Sequence, residues 1–177
     1  MMTVHAATSE TLSASWLLAL RAFLDAAFDG HFSDHDWRHA IGGVHVWVSG
    51  SDGLISHGSL VERTLVCSGH RLRAGYVEAV ATAAANRRHG YGALVMTRVG
   101  ELVRERYTLG ALSTGSHGFY ESLGWERWRG PTSVDGAQGP ERTPDDDHGV
   151  MILRTSRSPH LDLDQAIVCD WREGDVW

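Results

Sequence analysis

No lysine occurs anywhere in the chain, and all 16 basic side chains are arginine. That absence removes several chemistries at once. A phosphate-binding P-loop lysine, a pyridoxal Schiff base and a lysine general base each need an amine that the sequence does not carry. Cysteine is nearly as scarce. Cys67 and Cys169 stand far apart without a Cys-x-x-Cys spacing, so neither a disulfide framework nor a thiolate zinc site is indicated, no metal is expected, and a reducing cytoplasm fits. No apolar run approaches the ~20 residues of a membrane span. The opening MMTVHAATSE also lacks the basic and apolar regions of a secretory leader. With 22 acidic side chains against 16 basic ones, the net charge of −6 disfavours nucleic acid as a partner and suits a cationic ligand.

What is present has the composition of an ordinary globule, 42% hydrophobic and 21% charged, and the length predicts one domain over residues 1–177. A first strand is expected at Thr3 to Ala6. From Leu12 to Phe28 the apolar residues recur at three- and four-residue spacing, which predicts a helix with one apolar face. Ser33 and Asp36 resemble a capping pair opening a short helix that stops at Gly42-Gly43. The period then changes to two. Val44, Val46 and Val48, a turn at Gly50 to Gly53 and a run from Leu54 to Val66 predict a hairpin. A further strand is expected over Arg71 to Thr82, with Glu78 as its anomaly. A helix to about Arg106 follows, then a strand at Leu109 to Ser113, a short helix capped by Ser116 and a strand at Trp125 to Trp128. Gly130 to Gly149 hold three of the four prolines and four glycines, which predicts a long loop. Strands are expected again at Val150 to Leu153 and Ala166 to Cys169.

The chemistry starts at Arg87 to Gly92, RRHGYG, between a predicted strand and a predicted helix. Glycines at 90 and 92 let the backbone turn tightly with its N–H groups outward, and the helix adds its positive N-terminal end. This is an anion site, and Arg87 and Arg88 put cationic side chains beside it. The dinucleotide fingerprint would need a third glycine where Val95 stands, and the Walker motif would need lysine.

The remaining form, Arg-x-x-Gly-x-Gly after a buried strand, resembles the acetyl-CoA loop of the GNAT acetyltransferases. More blocks extend the resemblance: His39 to His45, GYVEAV at 75–80, LGALS at 109–113, GPTSV at 130–134, RTPDDD at 142–147 and the ending CDWREGDVW at 169–177 are similar to the aminoglycoside 2'-N-acetyltransferases of that superfamily. The resemblance implies the GNAT fold, an α/β architecture with a central mixed, mostly antiparallel sheet flanked by helices. It implies acetyl-CoA as co-substrate, a cationic aminoglycoside as acceptor, an antibiotic-resistance activity and a homodimer.

It also implies roles. Glu78 would be the general base, acting on the amine through water, where the residue type alone allows a salt-bridged buried carboxylate equally well. Tyr120 would protonate the departing thiolate, against core packing beside Phe119. Val80 and Thr82 would offer backbone groups to the thioester and the pantetheine arm, although an ordinary core strand has the same residues. Arg87, Arg88, His89, Gly90, Tyr91 and Gly92 would bind pyrophosphate. Asp36, Glu78, Ser113, Asp146, Asp175 and the terminal carboxylate of Trp177 would contact the aminoglycoside. Helix capping for Asp36 and a solvated acidic run for Asp145 to Asp147 remain the plain alternatives. One departure stands out: His31 replaces the Asp of the family's Gly-Asp-Phe segment, which removes a cation contact and points either to a tolerated edge change or to an acceptor with fewer amines, such as kasugamycin. The rivals are a GNAT enzyme for another small amine or peptide N-terminus, and a non-catalytic acyl-CoA or aminoglycoside sensor.

Overall fold

The structure, a computed structural model, describes residues 3–177. Met1 and Met2, the first residues of the stretch considered for a leader, lie outside them. The chain divides into two compact units, residues 1–61 with 77–99 and residues 62–76 with 100–177.

In the first unit, β1 (Val4–Thr8) pairs antiparallel with β2 (Val44–Gly50), which pairs antiparallel with β3 (Gly53–Cys67). Between β1 and β2 lie α1 (Ala14–Ala27) and α2 (Asp34–Ala40). Ser13 caps α1 by accepting from the N–H of Trp16 at 3.2 Å. The expected pair at α2 is a full capping box: Ser33 Oγ accepts from Asp36 N–H, and Asp36 accepts from Ser33 N–H at 2.8 Å. Burial explains why both helices stay. Leu20 and Leu24 of α1, Phe32 and Ala40 form a core cluster with Ala81 of β4 (His70–Thr82), flanked by Trp16, Phe23 and Trp37. Where β2 begins, a side chain at Gly43 would meet the Leu60 carbonyl oxygen at 2.1 Å, so only glycine allows the two backbones this approach.

The second unit takes the later part of β3 and the earlier part of β4. Its strand order is β6-β9-β5-β4-β3-β10-β7-β8, with β5 (Leu109–Ser113), β6 (Glu126–Arg127), β7 (Thr132–Gly136), β8 (Gly139–Arg142), β9 (Val150–Arg154) and β10 (Ile167–Cys169). The β4–β5 and β10–β7 pairs are parallel and the β5–β9, β6–β9, β7–β8 and β10–β3 pairs antiparallel, a mixed and mostly antiparallel arrangement. Helix α3 (Tyr91–Arg106), like β3 and β4, runs through both units, and α4 (His117–Glu121) precedes β6.

Three expectations change. The stretch from Gly130 to Gly149 is not a long loop, because it contains the β7–β8 hairpin and a 3-10 turn at Pro144–Asp146. Asp147 accounts for this: it accepts from the Thr132 N–H at 2.8 Å and hydroxyl at 2.9 Å and takes the Arg142 guanidinium at 2.8 and 3.1 Å, tying both strands to the turn. Ser116 stands before α4 but makes no side-chain cap. The strand expected at Trp125 to Trp128 keeps only Glu126–Arg127, since the Trp125 N–H turns back to the Tyr120 carbonyl at 3.1 Å and the chain leaves the sheet at Arg129, whose N–H bonds the Leu163 carbonyl at 2.8 Å.

Candidate active site

In the first unit, β4 changes character at Glu78. Ala79 has φ +50°, a left-handed conformation that costs a non-glycine residue about 1 kcal/mol or more and kinks the backbone within β4. Side chains of β3 bond the carbonyls around this kink. Ser59 Oγ donates to the Glu78 carbonyl at 3.2 Å, His57 Nδ1 bonds the Ala79 carbonyl at 2.9 Å, and Ser56 Oγ donates to the Ala81 carbonyl at 3.1 Å. All three donors are fully buried, whereas Glu78, Val80 and Thr82 are half-buried.

The turn that follows is exposed from Arg87 to Gly90, with Arg88 at φ +63° and Gly90 at φ +82°. It delivers the chain to the first turn of α3, whose opening N–H groups have no intrahelical acceptor. The first helical bond runs from Leu94 N–H to the Gly90 carbonyl. This geometry fits a pyrophosphate. The Arg87 guanidinium, expected beside the anion, is engaged with the chain instead: it donates to the carbonyls of Thr82 at 3.2 Å and Ala27 at 3.1 Å, bracing the turn. His89 bonds the Arg87 carbonyl at 2.8 Å and stacks on Tyr91, and Arg88 is exposed. His31 is exposed in the α1–α2 connection, and one oxygen of Asp36 is taken by the capping box.

The second unit gathers an acidic patch. Asp146 and Asp175 lie close enough that, after burial, the charge of Asp175 is the main influence holding the Asp146 carboxyl above its ordinary range. Asp147 is held the other way, well below the usual range, by Arg142 and Thr132. Of the acidic run, then, Asp147 is structural and Asp146 is the poised group. Ser113 Oγ and the Asp146 backbone carbonyl both flank Gly149, where a side chain would meet them at 3.0 and 3.3 Å. Trp177 is buried, its indole N–H donating to Thr143 Oγ1 at 3.1 Å and its backbone N–H to Asp175 at 3.3 Å. Tyr120 is buried between Phe119 and Trp125 in edge contacts, and burial pushes its phenol up to about 12.

The family model "Acetyltransferase (GNAT) domain" matches residues 4–128. An aminoglycoside 2'-N-acetyltransferase from Mycolicibacterium fortuitum is 44% identical over 161 residues, covering 89% of this chain and 83% of that protein. The chain belongs to the GNAT acetyltransferases, in the aminoglycoside 2'-N-acetyltransferase group. As a GNAT enzyme it is an acetyl-CoA-dependent N-acetyltransferase. Its fold is also that of YhbS from Escherichia coli, solved in complex with CoA, with a TM-score of 0.66 at 14% identity over 97% of this chain and 90% of that one. A probable N-acyltransferase from Enterococcus faecalis matches at a TM-score of 0.60 and 16% identity over 72% of this chain, which spans only 33% of that longer one.

Among the described residues no group of three or more His, Cys, Asp or Glu side chains could hold a metal ion, and no helix is long and apolar enough to cross a membrane. What sequence reasoning on this GNAT chain passed over is the polar interior of β2 and β3, His45, Ser56, His57 and Ser59, all fully buried. The signal was available as two histidines inside apolar alternation, Val44-His45-Val46 and Ile55-Ser56-His57.

Proposed function

We propose that this enzyme transfers the acetyl group of acetyl-CoA to an amine of an aminoglycoside antibiotic, the 2' amine by likeness to the Mycolicibacterium fortuitum relative, and so confers resistance. The observation that carries the acceptor side is the nearness of Asp146 and Asp175: burial first and the Asp175 charge second hold the Asp146 carboxyl above its ordinary range, and a bound polycation would relieve that repulsion. Ser113 and Trp177 belong to the same acceptor set, with Asp36 and His31 as further contacts. In this reading Glu78 acts as general base through water, and the substrate amine attacks the thioester directly without an acyl-enzyme. The N–H of Val80 polarises the thioester carbonyl, Thr82 binds the pantetheine arm and residues 87–92 bind the pyrophosphate. Tyr120 serves the sulfur by donating a hydrogen bond, since a phenol at about 12 stays protonated at every working pH.

His31, where the family's segment has Asp, favours an acceptor with fewer amines, such as kasugamycin, over deoxystreptamine drugs. Both cysteines are buried, free and pushed up to about 11 by burial, which supports a cytoplasmic enzyme without thiol chemistry. A single catalytic domain and a homodimer belong to the same reading, the dimer to be checked by light scattering.

The test is thiol release from acetyl-CoA with gentamicin, tobramycin and kasugamycin. Turnover with at least one drug is expected, and kasugamycin should have the highest kcat/KM. Equal kcat/KM across the panel would reject the role of His31, and drug binding without thiol release would make the protein a sensor. Glu78→Gln should lower kcat by about 100-fold or more with acetyl-CoA binding changed less than about threefold; unchanged turnover would remove Glu78 as the base.

A further inference from the structure

The first unit contains a hydrogen-bonded chain that begins at the surface and ends behind the kink at Ala79. The Gly42 N–H donates to Ser9 Oγ at 2.9 Å, Ser9 Oγ lies 2.8 Å from His45 Nε2, His45 Nδ1 lies 3.0 Å from His57 Nε2, and His57 Nδ1 lies 2.9 Å from the Ala79 carbonyl oxygen. Only one proton arrangement satisfies every link with neutral rings. A carbonyl can only accept, so His57 carries its proton on Nδ1 and leaves Nε2 as an acceptor. His45 must then donate from Nδ1, which makes its own Nε2 the acceptor for the Ser9 hydroxyl. Burial keeps both rings neutral, pushing His45 down to about 4 and His57 to about 3.

The end of this chain lies on a peptide unit with a function. In a trans peptide the carbonyl of Ala79 and the N–H of Val80 point in opposite directions from one rigid plane. Gripping the oxygen therefore sets the direction of the N–H. It also polarises it, because a bond accepted at the carbonyl strengthens donation from the same amide. At Ala79, with φ +50°, the backbone departs from extended strand geometry, and the His57 bond fixes the plane there. On the far side Val80 is confined by packing, since a side chain added at Gly58 would meet Val95 at 3.2 Å and Val80 at 3.5 Å.

We propose that His57, backed by His45 and Ser9, is a positioning residue for acetyl transfer, orienting the Ala79–Val80 peptide so that the Val80 N–H meets the developing oxyanion of the thioester. This rests on the reading of Val80 as oxyanion donor. The chain is not a proton exit for Glu78, because it ends on a carbonyl that has no proton to give. Its effect falls on the transition state, where negative charge grows on the oxygen, and not on ground-state binding.

The experiment compares His57→Leu, His57→Asn and Ser9→Ala with the wild-type enzyme, using an acceptor the wild type turns over. His57→Leu should lower kcat about 10- to 100-fold while both KM values stay within about threefold. The acid limb of the pH–rate profile should not move. His57→Asn, whose amide reaches the place of Nδ1, should recover kcat to within about fivefold of wild type, and Ser9→Ala should lower it two- to fivefold, orders of magnitude typical of supporting hydrogen bonds. Nitrogen-15 NMR of the wild-type protein at pH 7 should find both rings as the Nδ1–H tautomer, a readout independent of any variant's folding. Unchanged kcat in His57→Leu, equal impairment in His57→Asn, a shifted acid limb, or an Nε2–H or charged ring each overturns the proposal. An inactive wild type would instead overturn the acetyltransferase reading of this chain, leaving the NMR result to judge the strut.

Discussion

Acidification should destabilise the fold through two buried histidines of the first unit. His45 and His57 ordinarily titrate near 6.5, and in the folded protein burial lowers them to about 4 and about 3, with the proximity of the two rings adding to the fall in His57. The folded values lie below the unfolded ones, so the unfolded chain binds more protons between them. Stability is full above pH 6.5 and is lost as pH falls through that window. Each ring contributes close to 1.4 kcal/mol per pH unit once the pH is well below 6.5, so the pair should cost about 2 to 3 kcal/mol between pH 7 and 5.5 and about 5 kcal/mol by pH 4.5. Carboxylates of the unfolded chain, at about 4, titrate mostly below this window. His45 can take the first proton, because Ser9 can turn its hydroxyl to the Gly43 carbonyl at 3.3 Å; a second proton on His57 Nε2 faces the His45 Nδ1–H with no acceptor between them. Urea unfolding at pH 7, 6, 5.5 and 5 measures this, with an expected uptake of between one and two protons across the window. His57→Asn should lose about half of it. Less than one proton in the wild type, or the same slope in the variant, would refute the neutral buried pair.

Three further outcomes follow from packing and hydrogen bonding. Gly110→Ala places a methyl against Val103, Leu153 and Trp125 at 2.9, 3.0 and 3.1 Å, so it should lower stability by about 1–3 kcal/mol, seen as a reduced melting temperature. Tyr120→Phe should reduce kcat about 5- to 50-fold with the fold intact, and the wild-type profile should show no phenol titration up to pH 11, since burial holds Tyr120 at about 12. Trp177→Ala removes a buried indole and its bond to Thr143 and should cost about 3–5 kcal/mol. Its acceptor KM should rise while the acetyl-CoA KM holds; an equal rise in both would speak against an acceptor role.

Much of the fold was legible because its signals are local. The α1 face follows from spacing, the α2 box from Ser33 and Asp36, and the β2–β3 hairpin from Val44, Val46 and Val48 around a glycine turn. The turn before α3 was legible in part: Gly90 adopts the positive φ that its sequence suggested, whereas Gly92, expected in the turn, lies in the first turn of α3. What stayed hidden depends on partners distant in sequence. Proline and glycine between Gly130 and Gly149 read as loop because nothing local reveals that Asp147 reaches back to Thr132 across 15 residues. A histidine in a strand is compatible with ligand, base or core, and only the pairing of β2 with β3 brings His45 and His57 together. The left-handed Ala79 has no sequence signature at all.

Arg63 gives the tail a property of its own. From β3 it donates to the Asp170 carboxylate at 2.9 Å, the Asp170 carbonyl at 2.6 Å and the Val176 carbonyl at 2.7 Å, with its guanidinium over the Tyr76 ring. These bonds span 107 to 113 residues of chain, so nothing nearby in sequence can form them early in folding. The segment from Asp170 to Trp177 forms no strand or helix and is anchored through side chains, by Arg63, by the Cys169 thiol on the Val176 carbonyl and by the buried Trp177 indole on Thr143. Asp175 and Trp177 therefore take their places late in folding, once β3 and Thr143 are in position to receive them.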